Sequence, residues 1–319
     1  MALITGFAIQ GLQMLLVLAL APGLVGLVRR IKARLMRRPG PPIRQPYRDL
    51  LRLMRKEVVL AENASWLFRA TPYLVFAASW VAAALVPTFA TGLQFSWTAD
   101  LIAIVALLGS ARFFLALAGM DVGTSFGGIG SSREMMFASM AEPAMLLTVF
   151  ALSLVAGSTQ LSTVVQVLHG PPGVGLRVSL GMALVSLVIV AIAENGRIPV
   201  DNPATHLELT MVHEAMVLEY SGRHLAMIEL AAALKLLLYV SLIACLFVPW
   251  GIAREGDPPV ALALGIGTYL LKLALGGAAL AVFEASIAKM RVFRVPDYLG
   301  VALMLGLLGT LLLFVSRAL

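Results

Sequence analysis

Cysteine is all but missing from this sequence: Cys245 is the only one in 319 residues. A single thiol excludes an intrachain disulfide, and it excludes any iron-sulfur cluster or cysteine zinc site built by this chain alone. Lying in an apolar run, it reads as a small packing residue. Charge is scarce too, at 13% of residues against 60% hydrophobic, which leaves too little polar surface for a soluble domain of this length. There is no internal repeat and no low-complexity tract. A secretory signal would need a short apolar core with a small-residue cleavage site. The first apolar run is instead span-length and leads straight into a basic block, so it reads as a retained first helix.

What is present is apolar sequence in long runs. Eight can cross a bilayer: residues 4–28, 72–90, 101–118, 135–155, 178–193, 225–250, 260–283 and 298–315. The expected fold is therefore all-α and integral to the membrane, one domain of eight transmembrane helices. The gap after the first run holds twelve Lys or Arg, and the third, fifth and seventh gaps add Arg133, then Arg197 and Arg223, then Lys289, Arg291 and Arg294. Only Arg177, Arg254 and Arg317 lie in the alternate gaps or at the C-terminal end, while Arg112, Lys235 and Lys272 fall inside runs. By the positive-inside rule, residues 29–69 and 194–223 are cytoplasmic and both termini are outside. The net charge of +7 is thus a membrane-surface feature that suits anionic lipid and acidic partners, not a nucleic-acid footprint.

Only those two segments are long enough to carry structure of their own. In the first, Pro39, Pro41, Pro42 and Pro46 exclude a regular helix. Over 47–60, Leu50, Leu51, Leu53 and Met54 then oppose Arg48, Asp49, Arg52, Arg55 and Lys56. That pattern gives an amphipathic helix on the membrane surface, either a basic lipid anchor or a docking surface for a cytoplasmic partner.

Charges inside or bordering the spans are more pointed, because an unpaired one at mid-membrane costs at least about 2.5 to 3.5 kcal/mol. They are Arg112, Glu142, Glu194, Glu229, Lys235, Lys272 and Glu284, with Arg197 just beyond Glu194. Mixed signs allow structural pairs that lock helices together. They equally allow a proton path, for Glu142, Glu194 and Glu229 come from three helices, and Glu194 borders a loop carrying Asp201, Glu208, Glu214 and Glu219. Closely placed carboxylates hold and pass protons near neutral pH. His206, Glu208, His213 and Glu214 suggest a metal, but His213 is followed four residues later by Val217, not by the second histidine of a zincin helix. No metal site and no catalytic residue is expected. Gly123, Gly127, Gly128 and Gly130 imitate a phosphate loop, yet they follow a membrane helix rather than a strand, and read as a turn and close helix packing.

The run 193–201, Ala-Glu-Asn-Gly-Arg-Ile-Pro-Val-Asp, with Leu218-Glu219-Tyr220-Ser221-Gly222 downstream, resembles the cytoplasmic loop of the NADH dehydrogenase subunit 1 family, the heel subunit of respiratory complex I. Gly40-Pro41-Pro42 before the amphipathic stretch and Arg291 with Arg294 before Pro296 fit the same family, so the resemblance covers nearly the whole chain. The stretch from Ala111-Arg112-Phe113-Phe114 through Gly119-Met120-Asp121, then 129–135 and Glu142-Pro143, is similar to its hydrogenase branch: formate hydrogenlyase, hydrogenase-4 and related group 4 nickel-iron hydrogenases. The quinone-using subunits usually have closely spaced acids after the Pro-x-Asp, where this sequence has Ala204 and His206 and keeps Glu208. The resemblance implies a heel subunit that docks a cytoplasmic module through Arg48, Arg52, Arg55, Lys56, Arg291 and Arg294. Its acids Glu142, Glu194, Asp201, Glu208, Glu214, Glu219 and Glu229 would relay protons, with Arg112, Lys235, Lys272 and Arg197 as their buried partners. It implies no cofactor in this chain. The nickel-iron centre and iron-sulfur clusters would sit in partners: hydrogenase small and large subunits and an iron-sulfur electron-transfer subunit, with antiporter-like membrane subunits alongside. A quinone-site subunit of complex I, which would bind quinone, shares almost every motif. A stand-alone secondary transporter would be expected to show internal repeats and mid-membrane broken helices.

Overall fold

The computed structural model describes residues 2–92, 94–168, 178–201, 211–254 and 257–318. These are almost wholly helical, with no strand among them, as an unclosed chain in hydrocarbon must be in order to satisfy its own backbone hydrogen bonds. The helices are α1 (Ala2–Leu35), α2 (Gln45–Met54), α3 (Trp66–Leu85), α4 (Leu101–Asp121), α5 (Ser125–Ala156), α6 (Leu161–Leu168), α7 (Val178–Glu194), α8 (His213–Val217), α9 (Gly222–Phe247), α10 (Pro259–Ser286) and α11 (Val295–Ala318). Seven of them, α1, α3, α4, α5, α9, α10 and α11, are long and apolar enough to cross a membrane. Helix α7 is apolar but only 17 residues long, about 26 Å at 1.5 Å per residue, against a hydrocarbon core of about 30 Å.

Several helices extend past the boundaries drawn from hydropathy, for identifiable reasons. Helix α3 starts at Trp66 rather than at Pro72, because the Ser65 side chain accepts from the Leu67 amide and the Asp121 carboxylate accepts from the Ser65 amide at 2.9 Å. Pro72, inside this helix, has no N–H for the Phe68 carbonyl. The Tyr220 hydroxyl donates to that carbonyl instead, at 3.1 Å, with the two rings stacked 4.0 Å apart. Helix α5 begins at Ser125, ten residues before hydropathy suggests, with the Thr124 hydroxyl accepting from the Gly127 amide. A Cβ on Gly127 would lie 2.0 Å from the Gly119 carbonyl oxygen, so this glycine-rich turn is where α5 packs its backbone directly on α4.

Helix α2 is amphipathic, with Pro46 in its first turn, and ends at Met54 rather than running on to residue 60. It is seated by Tyr47, whose hydroxyl donates to the Ala19 carbonyl at 2.5 Å beside Pro22, where α1 carries its proline. After Lys56 the chain leaves helical geometry because Ser221 takes both polar groups of Val59: its hydroxyl accepts from the Val59 amide and donates to the Val59 carbonyl, each at 2.8 Å. Gly222, which opens α9 at φ 55°, has room only for hydrogen, since a Cβ there would lie 2.4 Å from the Glu57 carbonyl oxygen.

Helix α9 is the axis of the bundle. Its spanning window is 61% buried, against 22% for α10, and α1, α3, α7 and α10 all pack on it. Leu234, Leu237 and Leu242 of α9 share a core with Ile104 of α4 and Leu187 of α7. Helix α11 closes the other flank against α5 and α7.

Candidate functional site: a recessed ion cluster

Helix α7 ends inside the bundle. Its last residue, Glu194, meets Arg112, which lies nine residues before the end of α4, about 13 Å down that helix. The recess above Glu194 is occupied by the chain that follows. Together they enclose a cavity of about 80 Å³ lined by Arg112 of α4, Glu134 of α5, Glu194, Asp201, His213 and Lys235 of α9, against apolar neighbours such as Val75, Leu108 and Ile228. That is room for several ordered waters with polar partners on most sides.

Arg112, buried at 7% exposure, faces three carboxylates. One Nη ion-pairs with Glu194, the other is 3.4 Å from Glu142, and Nε is 3.3 Å from Glu134. The Nε approach is electrostatic only, since this nitrogen makes no hydrogen bond. Lys235 stands 3.9 Å from the second oxygen of Glu194. With all groups ionised, three carboxylates face two cations, one negative charge in excess. The C-terminal dipole of α7 points its negative end at the same place and favours Arg112 and Lys235. Burial, reinforced by the Lys235 charge, lowers the pKa of His213 against the smaller opposing pull of Glu134 and Asp201, so its imidazole is neutral at pH 7 and can both donate and accept.

Two further ion pairs tie down the segment that roofs the cavity. Arg197 is 3.4 Å from Glu284 at the end of α10, and Lys32 of α1 is 2.7 Å from the other oxygen of the same carboxylate. Asp201 takes Lys289 at 2.6 Å. Arg133 donates to the Met211 carbonyl at 2.7 Å.

The structure therefore brings together Glu142, Glu194, Arg112 and Lys235, with Asp201 and His213 on the same cavity. It does not bring Glu229 there: that residue is exposed on α9. Six residues from Lys235, it points about 240° around the helix. Glu219 is exposed and Glu214 is half-buried; His206 and Glu208 lie outside the described residues. Arg197 pairs with Glu284 rather than with the cluster, and Lys272 lies elsewhere, on α10. Arg48, Arg52, Arg55 and Lys56 are exposed on and just after α2, Arg52 being 3.5 Å from Asp49, and Arg291 and Arg294 are exposed before α11. Glu134 was not singled out by sequence reasoning. The available signal was its place eight residues before Glu142, which sets the two about 80° apart on one side of α5. Among the described residues no three His, Cys, Asp or Glu side chains converge as a metal cage.

A helical, multi-pass membrane protein organised around charges buried below its basic face is a narrow class. Residues 8–315 match the family described as NADH dehydrogenase, and the chain belongs to the NADH dehydrogenase subunit 1 family. It is 33% identical to formate hydrogenlyase subunit 4 of Escherichia coli K12 over 285 residues, covering 89% of this chain and 91% of that one. It is 35% identical to hydrogenase-4 component C of the same organism, over 76% of each. Its fold is that of a chain in the membrane-bound sulfane sulfur reductase, an archaeal respiratory membrane complex, with a TM-score of 0.81, 18% identity and coverage of 97% and 99%.

Proposed function

We propose that this chain is the membrane-anchoring, ion-coupling heel subunit of a complex-I-like nickel-iron hydrogenase of the formate hydrogenlyase or hydrogenase-4 type. The observation that carries the reading is the Arg112 cluster. A site of excess negative charge, roofed by a segment that leads to the basic face, is what is needed to turn an event outside the membrane into a proton shift within it. Hydrogen chemistry belongs in this reading to the nickel-iron centre and iron-sulfur clusters of the small, large and electron-transfer subunits, with antiporter-like subunits alongside in the membrane. Nothing in the chemistry assigned to this chain transfers an electron. The replacement of typical acids by Ala204 and His206 supports a partner that gives electrons to protons over one that gives them to quinone.

In this reading the basic face is cytoplasmic, α7 is the eighth crossing, and the membrane is a bacterial or archaeal cytoplasmic one. A cysteine at Arg37, exposed on the basic face, is expected to react with an impermeant maleimide only in inverted vesicles, and one at Trp97, exposed on the opposite side, only in intact cells. Labelling with the sides exchanged would turn the subunit over. The exposed bases of α2 form the docking surface. Reversing both Arg52 and Arg55 to Glu should release the iron-sulfur-containing module from washed membranes, cutting bound hydrogenase at least tenfold. Retention of the module at full activity would reduce α2 to a lipid anchor.

A further inference from the structure

Helices α7 and α10 both pack on α9 but scarcely touch each other. Between them lies a crevice of about 500 Å³, far larger than the cavity of the ion cluster and almost wholly apolar, lined by Ile192, Tyr239, Ile243, Leu275 and Phe283 among others. One basic side chain faces into its spanning part, that of Lys272. Lys272 is thirteen residues from Pro259 and fourteen from Ser286, so about 20 Å of helix separates it from either end of α10. Its ammonium group cannot reach either surface by snorkelling. Among the described residues no carboxylate pairs with it, whereas Arg112, Lys235, Lys32 and Arg197 each have one. An ammonium group at that depth is stabilised by an anion, and among the described residues none is within reach of it.

We propose that this crevice is the seat of a transmembrane helix from a partner membrane subunit, and that this helix carries an Asp or Glu near mid-depth that pairs with Lys272. A phospholipid fits the charges poorly: its acyl chain offers nothing to Lys272, and at the basic mouth of the crevice the Arg197 guanidinium is already engaged by Glu284. A helix fits them, because it fills apolar volume along the whole crevice and can present a carboxylate at one depth. The 22% burial of the α10 window is then that of a helix which completes its packing in the assembly. Leu275, 61% exposed in this chain alone, becomes an interface residue. The proposal rests on the reading of this chain as one subunit of a membrane complex.

The test uses the intact complex purified through a tag on another subunit. With p-benzoylphenylalanine in place of Leu275 and Lys272 retained, irradiation is expected to give an adduct with one other membrane subunit, mapping to a helix that carries an acid within about two turns of the cross-link. Lys272→Glu should lower the recovery of that subunit at least tenfold, and exchanging the partner's acid for Lys should restore it. An adduct with phospholipid or with a second copy of this chain would overturn the assignment. So would Lys272→Glu with wild-type subunit stoichiometry. Should the Lys272→Glu chain fail to accumulate, the photo-adduct decides alone. Hydrogenase subunits are counted in the same preparations. If they are present while the adduct is lipid, only the crevice assignment falls; if they are absent from the wild-type preparation, the subunit reading falls with it.

Discussion

Glu194→Gln is expected to leave the complex assembled, and evolving hydrogen from an artificial electron donor at the wild-type rate, while proton movement in sealed vesicles drops at least tenfold. The amide preserves the shape of the side chain and keeps an oxygen to accept from Arg112, so the fork that joins α4 to α7 survives. What it removes is the capacity to change charge. The cluster holds three carboxylates against Arg112 and Lys235, and neutralising one leaves two against two, with no excess charge for an incoming proton to satisfy. Glu229→Gln is the matched control. Its carboxylate is exposed and turned away from Lys235, so the ratio of protons moved to hydrogen formed should not change. If Glu194→Gln assembles and keeps the wild-type ratio, the relay runs through another subunit and this chain is a scaffold.

Arg112→Leu is expected to abolish accumulation of the complex altogether. Leucine fills much of the volume but leaves Glu134, Glu142 and Glu194 facing one another with only Lys235 in reach. Removing one partner from a buried charge set costs about 3 to 5 kcal/mol, a large part of the stability of an ordinary domain. Arg112→Lys should rescue only partly. A single ammonium cannot reproduce the planar fork that meets three carboxylates from three nitrogens, so some complex should form with a melting temperature in detergent below wild type. Subunit yield by quantitative immunoblot and thermal unfolding of the purified complex decide the matter. Wild-type yield from Arg112→Leu would mean that the carboxylates are solvated or protonated, and that the ion cluster is not what holds α4 to α7.

Much of this arrangement could be read from the chain itself. Charges within long apolar runs are expensive enough that Arg112, Glu142, Glu194 and Lys235 stand out in the sequence alone, and the distribution of arginine between the gaps gives the expectation of two unlike faces. The pairing was not legible. Whether a glutamate reaches a given arginine depends on how helices rotate against one another, which is why Glu229, equally conspicuous in sequence, lies outside the cluster while Glu134 lies in it. Helix ends were misjudged wherever a specific hydrogen bond outweighed hydropathy: Ser65 and Thr124 start α3 and α5 early, and Ser221 ends the helical stretch that begins with α2. Nothing in composition signals that Tyr220 would supply the donor missing at Pro72, since the two are brought together only by the packing of α3 on α9.

From Glu194 to Asp201 the chain behaves as a gauge rather than as a loop. Glu194 is pinned to α4, Arg197 to α10 and Asp201 to Lys289, three anchors within eight residues that belong to three separate parts of the bundle. The spacing between anchors is then as constrained as their identity. Side chains between them are replaceable one at a time, but a residue added or removed puts at least one anchor out of step with the other two, so families built on this plan should vary in the composition of this segment long before they vary in its length.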